Sequence, residues 1–298
     1  MAVKTLQKFN RIINLTFYTA LGIPRTVKCP VKGRKPNIEV NGNFTSKCEL
    51  AAFNVTIKNF YIDLTSEQYT RLQVEAGYEG NTITFEGTIL SMYPEAPGPE
   101  GSWVIQCQNG RMRNYLDATV QLDFAQGTPL RLVLAEISKK LGTYTVHTGE
   151  KAGALNLETR LQLDGTARNA MARLEQLFIN YNLSVFVREN MLCAICMDTG
   201  DHINIHTLQY MSGLPQPQAG GSEGTYYTTI TAPWEPKLQR GDLLRIPTRL
   251  YVRNFTLVST KNSTQIIQIN TLSFHFGTTG GANSMTVQGF LKGEPNGE

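Results

Sequence analysis

Residues 82 to 89 alternate without a break. Thr82, Thr84, Glu86 and Thr88 are polar, while Ile83, Phe85, Gly87 and Ile89 between them are apolar or small. Side chains of a strand point to opposite faces in turn, so this run has one buried and one solvated face only as a β-strand. A helix would scatter the same residues around its whole circumference. Short strands are predicted on both sides, at Asn37–Val40, Ala51–Lys58, Leu72–Gly77 and Trp103–Gln108, with the alternating strand itself over Thr82–Met92. Glu79-Gly80-Asn81 reads as a hairpin turn, where Gly or Asn takes positive φ. Pro94 to Gly101 holds three prolines, which lack the donor a sheet needs, and reads as a loop.

The period changes after Phe124. Thr128 is the expected N-cap of a helix, with Pro129 in its first position. Leu130, Val133, Leu134, Ile137 and Leu141 follow helical spacing, and Gly142 suits the C-terminal cap. A strand is predicted over Tyr144–His147. A second helix starts at Asp164 or Thr166, carries Ala167, Ala170, Met171, Leu174, Leu177, Phe178 and Tyr181 on one stripe, and ends at Asn182. A hairpin follows, Leu183–Val187 and Met191–Cys196. After the Pro-, Gly- and Gln-rich stretch from Leu214 to Gly224 the chain returns to strands, at Tyr226–Ala232, Leu243–Ile246, Arg249–Ser259, Gln265–His275 and Met285–Leu291. The fold class is therefore mainly β with an α+β insert. Two β domains flank a small helix–strand region. The expected division is a basic N-terminal arm (1–34), a first β domain (35–125), the insert (126–207) and a second β domain (208–298).

The 298 residues are 41% hydrophobic and 17% charged, as in globular proteins and unlike disordered ones. No apolar run approaches the roughly 18 residues of a membrane span. The stretch from Ile12 to Ile23 imitates a secretion signal, but Asn14, Thr16 and Thr19 interrupt it, and it is read as mature protein. Lys4, Lys8, Arg11, Arg25, Lys28, Lys32, Arg34 and Lys35 crowd the N-terminus with no Asp or Glu among them. Since the whole chain carries +4, the remainder carries −4. Such an arm either touches nucleic acid or an acidic partner, or packs on a neighbouring subunit.

Five cysteines with irregular spacing, Cys29, Cys48, Cys107, Cys193 and Cys196, argue against a disulfide framework and for assembly in a reducing cytoplasm. Cys193 and Cys196 with His202 and His206 could in principle supply four zinc ligands. Residues three apart on a strand face opposite ways, however, so two small buried hydrophobes are the better account. No nucleophile elbow, phosphate-binding loop or zinc-protease helix is present. No enzymatic activity and no cofactor are expected.

One stretch carries a more specific signal. Val74-Glu75-Ala76-Gly77-Tyr78-Glu79-Gly80-Asn81 and the alternating strand after it resemble the strand–turn–strand of hub proteins in phage tails and related contractile injection systems. Ser212-Gly213-Leu214-Pro215 is similar to the family's approach to its last domain. Pro236 to Asp242 is similar to its "P-x-L-x-x-G-D" turn. Phe274–Gly289 resembles its closing strand pair, although His275-Phe276-Gly277-Thr278 departs from the usual turn. The likeness runs in order from residue 35 to 293.

The resemblance implies two barrel-like tube domains per chain and a homotrimeric ring. That ring would join a sixfold tail tube to a threefold central spike and line the channel for DNA and the tape-measure protein. It would sit in the virion tail or baseplate after assembly in the host cytoplasm, with DNA touched only non-specifically in transit. The expected interface aromatics are Tyr78, Tyr93, Trp103, Tyr226, Tyr227 and Trp234. Gly77, Gly80, Gly87 and Gly241 are expected at turns and close approaches. Two rival readings are a host-surface or carbohydrate-binding tail protein, which the pair Tyr226-Tyr227 would suit, and a tail-associated cell-wall hydrolase.

Overall fold

The computed structural model describes residues 11–29, 37–44, 50–58, 64, 67–95, 102–109, 116–143, 145–188, 191–197, 201–208, 217–220, 227–253, 256–278 and 283–291. The first β region holds β1 (Arg11–Thr19), β2 (Pro24–Cys29), β3 (Asn37–Phe44), β4 (Leu50–Lys58), β5 (Tyr69–Tyr78), β6 (Asn81–Pro94) and β7 (Trp103–Gln108). The insert holds β8 (Thr119–Phe124), α1 (Leu130–Leu141), β9 (Thr145–Thr148), α2 (Glu150–Gly153), β10 (Leu161–Thr166), α3 (Ala167–Leu177), β11 (Leu183–Arg188) and β12 (Met191–Cys196). The second β region holds β13 (Ile205–Thr207), β14 (Pro217–Gly220), β15 (Tyr227–Ala232), β16 (Leu243–Arg253), β17 (Thr256–Gly277) and β18 (Asn283–Leu291). The fold is mainly β with a small α+β insert.

The alternating strand is β6. It pairs antiparallel with β5 from Tyr78↔Asn81 to Arg71↔Thr88. Ile83, Phe85 and Ile89 pack on the core and Gly87 is buried, as their shared parity requires.

The two β regions are not separate bodies. Their strands form one 13-stranded sheet, joined where β17 pairs β3 from Leu272↔Phe44 to Gly277↔Glu39. They also share one core: Trp234 stacks on Phe274 at 4.5 Å, and Tyr78 meets Phe276 edge-on at 5.4 Å.

Within this sheet a five-strand unit occurs twice. The first unit runs β3-β4-β7-β6-β5 and the second β14-β15-β18-β17-β16. Numbered along the chain, both have the order first-second-fifth-fourth-third, with every neighbour antiparallel. Each unit has a register shift in the same place, between its fourth and fifth strands: Ile89/Ser91 in one, Ile269/Thr271 in the other. Such bulges bend and twist a sheet at barrel corners.

The N-terminal segment corrects the expected basic arm. Arg11 to Cys29 is a hairpin within the sheet, with β1 between β2 and β5. Ile13, Leu15 and Phe17 are fully buried on one face. The polar residues between them, which interrupt an apolar run, are the outward half of a period of two. Lys4, Lys8, Lys32, Arg34 and Lys35 lie outside the described residues. Arg11 donates to the Gly277 carbonyl at 3.0 Å, Arg25 donates to the Tyr69 hydroxyl at 3.1 Å, and Lys28 is in β2.

The insert has its own core. α1 buries Leu130, Val133, Leu134, Ile137 and Leu141, and Gly142 caps it at φ +71°. Its N-cap is Pro129, one residue later than expected, because the Thr128 hydroxyl donates back to the Ala125 carbonyl instead of accepting from the helix. α3 begins as expected, with Thr166 accepting from the Asn169 backbone N–H. β8 belongs here and not to the first β region: it pairs β10, and Val120 is buried in the insert core.

Candidate functional site

The expected interface aromatics separate into two groups. Tyr78 and Trp234 are 2% and 1% exposed and belong to the core shared by the two β regions. The Tyr78 hydroxyl donates to Asn283 Oδ1 at 2.7 Å, and burial pushes its pKa up to about 12. Their loop-proximal positions predict contact with a partner, but their rings pack on Phe274 and Phe276 within the chain instead. Trp103 is half-buried against the same core. Tyr93 is exposed. Tyr226 lies outside the described residues, and Tyr227 is the first residue of β15.

The glycines serve the backbone. Gly77 has φ +147°, and a Cβ there would meet the Asn81 carbonyl oxygen at 2.3 Å. Gly80 forms the β5–β6 turn. Gly87 lets Phe53 and the β7 backbone approach. Gly241 has φ +84° and carries the insert: a Cβ there would strike Phe186 at 2.8 Å, with Ile195 and Ile203 at 3.1 Å.

Gly241 lies in the turn Gln239-Arg240-Gly241-Asp242, which clasps the outer face of β11 and β12. The Asp242 carboxylate is fully buried. Its Oδ1 accepts from Arg188 Nη1 at 2.6 Å and from the Asn204 backbone at 3.1 Å. Its Oδ2 accepts from the Gln239 backbone at 3.1 Å, and His206 Nε2 lies 3.2 Å away. Burial alone would raise the Asp242 pKa, but His206 and Arg188 outweigh it and hold the carboxyl below its ordinary value. Arg240 covers the Phe186 ring at 4.8 Å and donates to the Ser184 hydroxyl at 2.6 Å. The Asp242 and Arg240 contacts fix the insert to the second β region, and they are built from residues scattered along the chain. Within the insert, Asp201 accepts from the backbone of Lys151, Ala152 and Cys196, and its carbonyl accepts from Gln268 Nε2 of β17.

Cys193 and Cys196 face opposite sides of β12: Cys196 is in the insert core, while Cys193 packs with Phe186, Ile195 and Met197. Among the described residues no group of three or more His, Cys, Asp or Glu is placed to hold a metal ion. None of their helices is long and apolar enough to cross a membrane.

The other face of the large sheet is polar across both β regions. Ser91, Gln106, Asn54, Asn41, His275 and Ser284 stand in one row across β6, β7, β4, β3, β17 and β18. None of them is buried, whereas Cys107, Phe53, Phe274 and Met285 of the opposite parity are. Charges beside this row occur in pairs. Lys58 Nζ lies 3.4 Å from Glu39 and His275 Nε2 lies 3.5 Å from it. On β1 and β5, Asn14 donates to Glu75 at 2.6 Å and Arg71 covers the Tyr18 ring at 4.2 Å. Among the described residues this surface offers no array of unpaired cations to phosphates and no large apolar patch to a protein.

No protein-family model matches the chain, and no curated protein matches it. Solved structures do. The 43 kDa tail protein of prophage MuSo2 from Shewanella oneidensis superposes with a TM-score of 0.55 at 9% identity, over 94% of this chain and 96% of its own. The fold is that of a phage tail protein. A tail protein from Neisseria meningitidis MC58 gives 0.54 at 8% identity, over 95% of this chain and 97% of its own. Both likenesses extend over nearly the whole of each chain.

Proposed function

We propose that this chain is a structural component of a phage-type tail or baseplate, acting without turnover as a hub. In this reading three copies form a ring that joins a sixfold tail tube to a threefold central spike. The observation that carries it is the repeated five-strand unit within a chain of tail-protein fold. Three copies present six similar units, which matches a sixfold partner on one side while keeping threefold symmetry for the other.

The polar face, whose described charges are paired, is suited to lining the channel, where DNA and the tape-measure protein must pass without being held. Tyr93, Tyr226 and Tyr227 remain contact candidates for neighbouring chains. The place of action is the virion tail, after assembly in the host cytoplasm. Light scattering on the purified chain over a range of concentration, followed by electron microscopy with a tail-tube protein, tests this. Trimers that cap tube ends as rings of six similar lobes are expected. A chain that stays monomeric alone and with tube protein would end the hub reading.

A further inference from the structure

We infer that copies of this chain join edge to edge, β14 of one copy docking along β6 of the next over Leu90–Tyr93. The inference rests on the ring reading and names the strands that close it.

The argument starts from the junction inside the chain. β17 is the fourth strand of the second unit and has β18 on one edge. Its other edge is taken by β16 up to Gln268 and then by β3, the first strand of the first unit, over Leu272–Gly277. Within one chain, therefore, the fourth strand of one unit receives the first strand of the other.

The reciprocal pair forms no ladder among the described strands, although β16 approaches β14. β6 is the fourth strand of the first unit. It has β7 on one edge, and β5 covers the other only as far as Thr88. Beyond Thr88 that edge has no ladder partner among the described strands. Leu90, in the register shift, is 61% exposed and Tyr93 is 45% exposed. β14, the first strand of the second unit, pairs β15 on one edge and forms no other ladder among the described strands.

The two edges match in their ends. β14 is four residues long, and the stretch of β6 beyond its ladder with β5, Ile89–Tyr93, is five. Pro217 begins one and Pro94 follows the other, so in an antiparallel approach both prolines fall at the same end, where no ladder donor is needed. Open strand edges invite pairing unless something covers them. A contact between two different patches of identical chains closes into a ring when its rotation permits. Here every unit-to-unit junction would then be of the same kind, alternately within and between chains.

The test uses the full chain. Leu90→Cys with Ala219→Cys, and Tyr93→Cys with Ala219→Cys, are oxidised with diamide and resolved without reductant. Cross-linked species that stop at three chains are expected from at least one pair, and none from the single variants. In parallel, Leu90→Lys is expected to weaken the trimer more than 10-fold in light scattering while leaving the melting temperature unchanged. Wild-type trimers that neither pair cross-links, or that Leu90→Lys leaves intact, would overturn the strand assignment and leave the ring reading standing. A wild-type chain monomeric under all conditions would remove both.

Discussion

Arg188, at the end of β11 in the insert, donates to the Asp242 carboxylate of the second β region at 2.6 Å, with both side chains almost fully withdrawn from water. A buried pair of this kind contributes little over a well-packed apolar pair, but loss of one partner strands the other charge at a cost of about 3–5 kcal/mol. Arg188→Met is therefore expected to lower stability by that order, and Asp242→Leu likewise. The double variant should recover much of the loss. Denaturant unfolding of the four proteins measures the coupling; additive losses would mean that the pair does not act as a unit.

The same carboxylate gives a pH dependence of known sign. Its folded pKa is held below the ordinary value. Its contribution is therefore fully present above the unfolded pKa of about 3.9, and it is lost as pH falls through the lower, folded value. The stability gap between wild type and Asp242→Asn should be constant near neutrality and shrink only below about pH 4. Unfolding curves at stepped pH decide this, and a gap that closes already at pH 6 would assign the dependence to another group.

Two glycines separate backbone strain from packing. Both Gly80 and Gly241 have positive φ, but only at Gly241 would a Cβ meet neighbours, while the space at Gly80 is open. Gly80→Ala should cost about 1 kcal/mol from conformation alone. Gly241→Ala should cost about 1–3 kcal/mol more, since Phe186, Ile195 and Ile203 must give way together. Equal losses in thermal unfolding would mean that the turn can shift away from β11 without strain.

Much of this fold was legible because it depends on local period. β6 and α1 are each specified by residues within one turn or one strand, and both appear close to where their patterns put them. The β1–β2 hairpin was obscured by its charge. Arg25 and Lys28 fit the charge pattern of an arm, while Ile13, Leu15 and Phe17 alternate as a strand. β10 was hidden for a related reason: Leu161 and Leu163 alternate over too few residues to outweigh the helix start that follows. The junction was not legible at all. Arg188, His206 and Asp242 meet only because a turn in the second β region closes on the insert, and sequence distance says nothing of that. The two five-strand units share strand order without shared residue pattern, so the repeat appears only in the pairing.

The polar face makes a prediction about DNA. Asn41, Asn54 and Ser273 are exposed on neighbouring strands. Changing all three to Lys should alter stability by no more than about 0.5 kcal/mol per site. It should also add DNA binding that weakens steeply with salt, by roughly one unit of log–log slope per phosphate contacted. Mobility shifts of wild type and variant at two salt concentrations compare them. A variant with no gain over wild type would mean that this face is already covered or cannot reach a duplex.

Tyr78 supplies the last test, because its hydroxyl joins the turn end of β5 to the second β region. Burial raises its pKa to about 12, well above the value of about 10 in an unfolded chain. The neutral phenol is thus favoured by folding. Its contribution is complete below pH 10 and declines as pH rises through the folded value near 12. Tyr78→Phe should lose about 1 kcal/mol at neutral pH, when Asn283 Oδ1 is left with the Trp234 backbone N–H as donor. In exchange it should show a shallower fall of stability between pH 10 and 12 than wild type does. Parallel slopes over that range would place the Tyr78 hydroxyl in contact with water and refute the buried hydrogen bond.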